Sequence, residues 1–253
     1  MIIRSNRELR ARYHQLGAGD CYIGTVFAKH LKQTMLIDLA QRGVDCYPSA
    51  LSQVLNSSKV AQAFIYQEWM VPHTTAICRR TDLLAAISAF TAHGIGSVVS
   101  KQDHMHCGHG IRRWESIEHL YNFLGLDPSS YPFVLQPFRK DFTDVRVIKA
   151  GDHEEAYVRE NPDNFRGNLA AGGESRPYDL DENGRKLCRA AMQRGRFPYA
   201  HIDLMIGSDG RTYLCEIALN GGTHGAHIRR EELDRTKKEL LEHFADKGGY
   251  IEH

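Results

Sequence analysis

The stretch Tyr199-Ala-His-Ile-Asp-Leu-Met-Ile-Gly-Ser-Asp-Gly-Arg-Thr-Tyr-Leu-Cys-Glu-Ile-Ala218 contains two apolar runs on either side of an Asp209-Gly210 turn. Such a pattern predicts a β-hairpin. If the turn is centred near Asp209, Asp203 and Glu216 lie almost opposite each other, with their Cβ atoms roughly 5 Å apart. The hairpin therefore predicts a pair of carboxylates on neighbouring antiparallel strands.

Regular alternation along the two strands assigns each side chain to a face of the sheet. It puts Asp203 on the face opposite to Leu204, and it puts Leu214 and Glu216 together on one face of the second strand. These face assignments are expectations that the structure can test residue by residue.

Two carboxylates this close repel each other and need a cation or a shared proton when they are partly buried. Oxygen ligands on a rigid hairpin suit Mg²⁺ or Mn²⁺, with phosphate and water completing the coordination. Asn220, just after the second strand, offers a further oxygen ligand. The alternative is that Asp203 and Glu216 both point to solvent, or that the strand register separates them.

Composition sets the broad class of the protein. The chain has 253 residues, 42% of them hydrophobic and 25% charged, which is typical of a soluble globular protein. A net charge of +1 gives no indication of a nucleic-acid partner, and no apolar run approaches the roughly 20 residues of a membrane span. Six widely scattered cysteines favour free thiols and a reducing, cytoplasmic location.

The remaining chain mixes helical and extended patterns. Helices are predicted over residues 31–41, from about residue 55 to 69, from Asp82 onwards and over 117–124, and strands over 97–100, 133–135 and 145–148. Strands and helices in this order favour an α/β or α+β architecture. The C-terminal segment from Glu231 to Phe244 shows the apolar stripe of a packing helix.

Further motifs occur in a fixed order before the hairpin. They are Ser57-Ser-Lys59, Val98-Val-Ser-Lys101, Gly108-His-Gly110, Asp144-Val-Arg146 and Phe165-Arg-Gly-Asn-Leu-Ala-Ala-Gly-Gly173. With the hairpin carboxylates, this series resembles the ATP-grasp superfamily, and within it the RimK-type amino-acid and peptide ligases. The resemblance implies an α+β, ATP-grasp fold in which two α/β subdomains clasp ATP.

The resemblance also implies roles for individual residues. The residues expected at the nucleotide are Lys59, Lys101, Gly108, His109, Gly110, Gln136, Pro137 and Phe138. The residues expected at the transferred group are Arg146, Arg166 and Asn168. Asp203 and Glu216, with Asn220 as a possible helper, stand at the metal positions. Backbone amides of glycines can approach phosphate oxygens closely, which suits a mobile loop at residues 108–110.

Three departures from the family pattern stand out. Ala218 replaces the asparagine that usually follows the metal glutamate by two residues, and Pro137 replaces a hinge glutamate and lacks an N–H. The segment before Lys59 is shorter than the N-terminal domain of these ligases. The expected division is a shortened N-terminal segment at residues 1–56, a small lid subdomain at 57–132 and a large subdomain at 133–253.

The activity that the resemblance implies is Mg²⁺- and ATP-dependent joining of a carboxylate to an amine through an acyl-phosphate. The expected partners are a small-molecule or peptide substrate and, at family level, a second copy of the chain. Two alternatives stay open, namely a small-molecule kinase and a nucleotide-binding regulatory protein with little turnover. The cluster from Asp103 to His109 also admits a zinc site, although its ligands are crowded for one. Read alone, the candidate lysines and arginines could be ordinary surface residues.

Overall fold

The computed structural model describes residues 1–105, 108–161 and 173–247. Within these residues the strands form sheets of three, four and five strands, each with its own layer of helices. The mixture of helix and sheet confirms the α+β fold class. In the described part of the chain, no helix combines the length and the apolar composition needed to cross a membrane.

The N-terminal sheet is short and parallel. Its strands are β1 (Ile2–Ile3), β2 (Cys21–Ile23) and β3 (Asp45–Tyr47), in the order β1-β2-β3. The connections are α1 (Asn6–Arg12), a short 3₁₀ turn (Tyr13–Gln15) and α2 (Lys32–Gln41). Gly43 follows α2 with a φ of 73°, a left-handed conformation that glycine adopts at little cost, so the helix ends where the sequence predicted.

Two short helices lead from this sheet to the next. They are α3 (Ala50–Leu55) and α4 (Lys59–Ile65), followed by a 3₁₀ turn (Gln67–Trp69). The single helix expected from about residue 55 to 69 is therefore wrong in its extent. Ser58 explains the break, because its hydroxyl caps α4 by accepting from the Ala61 N–H at 3.0 Å.

The four-stranded sheet is antiparallel, in the order β4-β7-β5-β6. Its strands are β4 (Thr75–Ile77), β5 (Val98–Gln102), β6 (Ile111–Trp114) and β7 (Phe133–Pro137). Its helices are α5 (Arg80–Ala92), α6 (Ile117–Leu124) and a 3₁₀ turn (Pro128–Ser130). Strand β7 pairs with β5 and β4 in this sheet, although the division made from the sequence assigned its residues to the large subdomain.

The five-stranded sheet is also antiparallel, in the order β10-β9-β8-β11-β12. Its strands are β8 (Phe142–Ala150), β9 (His153–Glu160), β10 (Glu174–Pro177), β11 (Tyr199–Gly207) and β12 (Thr212–Ala218). Two longer helices, α7 (Glu182–Gly195) and α8 (Arg230–Lys247), complete this part of the fold. The hairpin predicted from the sequence is β11–β12.

One face of the five-stranded sheet is apolar and contributes to the largest core. Val145, Val158, Ile202 and Leu204 are fully buried there. Burial of such side chains is the main favourable contribution to folding, at roughly 1.5–3 kcal/mol each. The opposite face carries the charged residues described below, and the apolar packing beneath them holds their backbone in a fixed register.

A β-bulge in β12 corrects one face assignment. Asp203 pairs with Glu216, but the next pair is Leu204 with Leu214, so Cys215 is an extra residue between them. The bulge puts Leu214 in the core and Glu216 on the opposite face, beside Asp203. The expectation that Leu214 and Glu216 share a face is therefore wrong, whereas the expected pairing of Asp203 with Glu216 is observed.

Candidate functional site

The charged face of the five-stranded sheet is built from side chains on neighbouring strands. Arg146 on β8 and Glu216 on β12 both pair in register with Asp203 on β11. Directly opposed residues of an antiparallel pair lie on the same face of the sheet. The two acids predicted from the hairpin therefore stand side by side, with an arginine on the other side of Asp203.

Asp203 is held by two arginines. Arg146 Nε and Nη2 donate to Asp203 Oδ1 and Oδ2 at 2.7 and 2.8 Å, and Arg159 Nη2 lies 3.0 Å from Oδ2. Burial alone raises the pKa of the Asp203 carboxyl, but the two guanidinium groups outweigh this and lower it below its usual value. Asp203 is therefore an ionised carboxylate that depends on its cationic neighbours.

Asp144 completes this network on the far side of Arg159. The Arg159 side chain donates to Asp144 Oδ1, with a 3.2 Å distance from Nε. Burial raises the pKa of the Asp144 carboxyl to about 6, Arg159 opposes this rise, and the charge of Asp203 adds to it. Two arginines and two aspartates thus form one compact network of opposite charges, which we call the Asp203 network (Asp144, Arg146, Arg159 and Asp203).

Lys59 connects this face to the β5–β6 connection of the four-stranded sheet. Its Nζ lies 3.2 Å from Glu216 Oε1 and donates to the Met105 carbonyl oxygen at 2.6 Å. Gln62, one turn further along α4, binds both backbone groups of Ile217, at 2.9 Å to the N–H and 2.8 Å to the carbonyl oxygen. Helix α4 therefore fixes the strand that carries Glu216 and places a cation next to that carboxylate.

The candidate phosphate loop lies at the β5–β6 connection. Lys101 is in β5 and is half-buried, and Gly108 follows with a φ of 76°. A Cβ atom at Gly110 would lie 2.7 Å from Gln102 Cβ, so the tight return of the chain requires glycine there. His109 between them is exposed. His106 and Cys107, which the zinc interpretation needs, lie outside the described residues.

The candidate adenine hinge follows β7. Gln136 is buried and pairs with Val99, and the Phe138 N–H donates to the Ser97 carbonyl oxygen at 2.9 Å. Pro137 has no N–H. The Phe138 ring also contacts the Arg113 guanidinium, whose central carbon is 4.0 Å from the ring centroid. The hinge therefore uses its Phe138 amide within the sheet rather than presenting it outward.

The remaining candidates separate into two groups. Arg166 and Asn168 lie outside the described residues. Asn220 is exposed and its Oδ1 accepts from Lys237 Nζ at 3.3 Å, so in this structure its amide oxygen serves a lysine on α8. Among the contacts of the described residues, none joins Asn220 to Asp203 or Glu216, and its role as a metal ligand stays a prediction.

A sequence model of the RimK-like ATP-grasp domain matches residues 97–240, which is more than half of the chain. The match spans β5 to α8 and includes both carboxylates and the Asp203 network. The chain belongs to the RimK-like ATP-grasp family. A comparison with curated proteins finds no match.

Solved structures with a similar fold cover 88–97% of the chain. The D-alanine–D-alanine ligase of Bacillus anthracis matches with a TM-score of 0.66 at 15% identity, covering 97% of this chain and 86% of that one. D-cycloserine synthetase DcsG matches with a TM-score of 0.62 at 15% identity, with 88% and 84% covered. The ATP-grasp ligase PsnB, complexed with a minimal precursor, gives 0.58 at 16% identity, with 88% and 78% covered. At such identities the likeness establishes the fold alone.

His201 is a buried polar side chain two residues before Asp203 on β11. His201, on the same face of β11, is 3% exposed, and its Nε2 lies 3.3 Å from the ammonium nitrogen of Lys237. An ammonium group only donates, so His201 Nε2 accepts and the ring proton sits on Nδ1. A Cβ atom at Gly221 would lie 2.8 Å from that Nδ1, so glycine makes room for the ring.

The pKa of His201 predicts a pH dependence of stability. Burial, with the Lys237 charge adding to it, lowers this pKa to about 3 from 6.5. Below pH 6.5 the unfolded chain therefore binds a proton that the folded chain does not, and stability falls as the pH drops. In urea denaturation at pH 7 and pH 5, we expect this residue to account for a loss of about 2 kcal/mol.

The comparison that isolates this effect uses His201→Gln, which keeps an acceptor for Lys237. Between pH 7 and pH 5, the free energy of unfolding of the wild-type chain is expected to fall by about 2 kcal/mol more than that of the variant. His14→Gln, at an exposed histidine, serves as the matched control. An unchanged gap between pH 7 and pH 5 would contradict a buried, neutral His201.

Sequence reasoning missed two members of this site, Arg159 and Lys237. Arg159 lies on β9, where polar and apolar residues do not alternate regularly from His153 to Glu160, so no local pattern marked it. Lys237 lies on α8, and its burial among polar groups left no mark on the apolar stripe of that helix. The fold, rather than neighbouring sequence, brings Arg159 to Asp203 and Lys237 to His201.

Proposed function

We propose that this ATP-grasp protein is an ATP-dependent ligase that joins a carboxylate to an amine and releases ADP and phosphate. The observation that carries the proposal is the direct pairing of Asp203 with Glu216 on the charged face of the five-stranded sheet. The names of the fold neighbours support it, because a D-alanine–D-alanine ligase and PsnB are both ligases.

The carboxylate pair fits a divalent cation. Both side chains present oxygens, which Mg²⁺ and Mn²⁺ prefer, and the contacts of both in the described chain are to cationic groups. A cation bound with ATP could replace these positive partners if the phosphates then pair with Arg146 and Arg159, so that no buried charge is left unpaired. We propose that Asp203 and Glu216 hold this ion, with Asn220 as a helper once Lys237 releases its oxygen. The ion would neutralise charge on the β- and γ-phosphates.

The proposed nucleotide contacts come from α4 and the four-stranded sheet. Lys59 has its ammonium beside Glu216, and we propose that it contacts a phosphate of the nucleotide whose metal ion Glu216 would hold. The remaining proposed contacts are Lys101, Gly108, His109, Gly110, Gln136, Pro137 and Phe138. Because the Phe138 N–H is used by Ser97, we propose that adenine is recognised there mainly by packing against apolar surface.

The transferred group would be anionic throughout the reaction. We propose that Arg146, Arg166 and Asn168 steady it, since a guanidinium matches the geometry of phosphate oxygens. Arg159 joins this set because it reaches the same carboxylate as Arg146. Transfer of this kind depends mostly on positioning and on neutralising charge.

The proposed reaction takes place in two steps. A substrate carboxylate oxygen forms a bond to the γ-phosphorus of ATP as the bond to the ADP oxygen breaks, which gives an acyl-phosphate. An amine nitrogen then bonds to the acyl carbon, phosphate leaves with the electron pair of the C–O bond, and the amine loses a proton to solvent. The products are an amide, ADP and phosphate.

The test is ADP release in the presence of Mg²⁺ and ATP, screened with pools of amino acids, peptides and proteins. We expect ADP and free phosphate in equal amounts and a product whose mass equals the two substrates minus water. A stable phosphoester without free phosphate would identify a kinase instead. Nucleotide binding without ADP release from any pool would favour a regulatory protein.

The strand pairing of β7 bears on where the chain divides into subdomains. Because β7 pairs within the four-stranded sheet, we propose that the large subdomain begins after Pro137 rather than at residue 133. We propose that the N-terminal segment ends at residue 56 and that the small lid subdomain begins at residue 57. We also propose a cytoplasmic location, which the five free thiols among the described residues support, and a homo-oligomeric state.

A further inference from the structure

Residues 103–105 lead from strand β5 into the candidate phosphate loop at residues 108–110, and they contact helix α4. From the sequence, Asp103 was considered only as a member of a crowded zinc cluster. In the structure its side chain is 8% exposed and lies against the first turn of α4. Both of its carboxylate oxygens accept hydrogen bonds there.

Asp103 joins the loop to the N-terminal end of α4. Its Oδ2 accepts from the Ser58 hydroxyl at 3.0 Å, and its Oδ1 accepts from the Val60 N–H at 3.3 Å. The first N–H groups of a helix have no partner within the helix, so a carboxylate is favoured beside them. Ser58 is itself buried and caps α4 through the Ala61 N–H, so the helix side of this contact is fixed.

Lys59 makes a second connection between the same two segments. Its Nζ donates to the Met105 carbonyl oxygen at 2.6 Å while it pairs with Glu216. Between the two connections, His104 has a φ of 55°, which a residue other than glycine adopts only when its surroundings hold it there. Its Nε2 also lies 3.3 Å from Asp103 Oδ2. The entry to the loop is therefore held at Asp103 and at Met105.

The returning arm of the loop packs directly on this entry. The Gln102 N–H donates to the Gly110 carbonyl oxygen at 2.9 Å. A Cβ atom at Gly110 would lie 2.7 Å from Gln102 Cβ and 2.9 Å from Met105 Cβ. Because atoms this closely packed move together, a displacement of Met105 also displaces Gly110.

Helix α4 is fixed in turn to the strand that carries Glu216. Gln62 is 2% exposed and binds the N–H and the carbonyl oxygen of Ile217, the next residue of β12. Its amide also donates to the Leu55 carbonyl oxygen at 2.7 Å. Contacts therefore run without a break from β12 through α4 to the candidate phosphate loop, and Asp103 is the side chain that connects the loop to the helix.

We propose that Asp103 is a positioning residue, which anchors the phosphate loop to α4 and so holds it in place relative to Glu216 before a nucleotide binds. A loop that is held beforehand loses less conformational entropy on binding. The benefit falls on ligands that carry β- and γ-phosphates. This inference rests on the proposed nucleotide site, and it is tested by binding alone, without turnover.

The test compares a non-hydrolysable ATP analogue with AMP by isothermal titration calorimetry of the full chain in the presence of Mg²⁺. AMP lacks the two phosphates that the loop would cover. In Asp103→Ala we expect the affinity for the ATP analogue to fall by about tenfold or more, because the loop must then be ordered on binding. The affinity for AMP is expected to stay the same, whereas general damage to the fold would weaken both ligands.

Hydrogen exchange of the nucleotide-free chain gives a second readout. The Gln102 and Ile111 N–H groups donate to the Gly110 and Gly108 carbonyl oxygens, so their exchange reports on the loop directly. We expect both amides to exchange faster in Asp103→Ala, because local opening of the loop becomes less costly. Exchange as slow as in the wild-type chain would contradict the anchoring of the loop by Asp103.

Asp127→Ala is the matched control. Asp127 also accepts from a hydroxyl and a backbone N–H, both of Ser129, at 2.7 and 2.9 Å, but at the 3₁₀ turn before β7. It is expected to bind both ligands as the wild-type chain does. Asp103→Asn keeps the size of the side chain and replaces Asp103→Ala if that variant does not fold. An unchanged affinity for the ATP analogue, an equal loss for both ligands, or no binding by the wild-type chain overturns the inference.

The two proposals fail separately. If ADP is released and the Asp103 variants bind the ATP analogue as the wild-type chain does, the ligase stands and the positioning role is wrong. If no pool gives ADP but the variants lose affinity for the analogue alone, the ligase proposal fails and Asp103 still positions the loop.

Discussion

Replacing Asp203 with asparagine is expected to lower the free energy of unfolding by about 3–5 kcal/mol. The carboxylate is buried and is held by Arg146 through two hydrogen bonds and by Arg159 through a third contact. An amide cannot neutralise these cations, and Asp144 alone would face both. Urea denaturation at pH 7 and constant ionic strength measures the change.

Glu216→Gln is the matched control for this prediction. Glu216 lies directly opposite Asp203, but its side chain is 30% exposed and its ion pair is with Lys59. An exposed or half-exposed ion pair contributes about 1 kcal/mol or less. Similar losses for the two variants would show that the Asp203 network does not stabilise the fold as its geometry indicates.

The same Glu216→Gln variant is expected to lose about 10²–10³-fold in the rate of ADP release, the usual cost of removing one group that stabilises transition-state charge. The loss is expected because the proposed metal site has only two described carboxylates, and an amide leaves the metal with one. The fold should persist, since this variant is expected to be nearly as stable as the wild-type chain.

ADP release in a coupled assay measures this effect once the substrate screen has identified an active pool. Glu118→Gln, at an exposed acid on α6, is the control and is expected to keep the wild-type rate. A Glu216→Gln rate within twofold of the wild-type rate would remove Glu216 from the proposed metal site. Urea denaturation of the same sample separates lost chemistry from lost structure.

The hairpin and its carboxylate pair could be predicted from the sequence because strands have a period of two and the Asp209-Gly210 turn fixes the register. The bulge could not be predicted, since Cys215, between Leu214 and Glu216, reads as part of a regular strand. The hairpin pattern therefore predicted the right partner for Asp203, but regular alternation wrongly put Leu214 on the same face as Glu216.

Contacts between segments that are distant in the chain were the other feature that could not be predicted from the sequence. Arg159 reaches Asp203 from β9, 44 positions earlier in the chain, and Lys237 reaches His201 from α8. No local pattern ties such residues together, because the pairing depends on strand order and on how a helix docks. Arg146 was found only through a family motif, and its partner Asp203 through the hairpin.

The bulge at Cys215 makes the sliding of one strand past another unfavourable. If β12 paired regularly from Leu214 onwards, a thiol would face Asp203 and the carboxylate of Glu216 would enter the layer that contains Ile202. Dehydrating an ionised carboxylate among aliphatic groups costs several kcal/mol, far more than one irregular strand pair. The acid is thus excluded from the interior and is kept beside its partner without needing a ligand to hold it there.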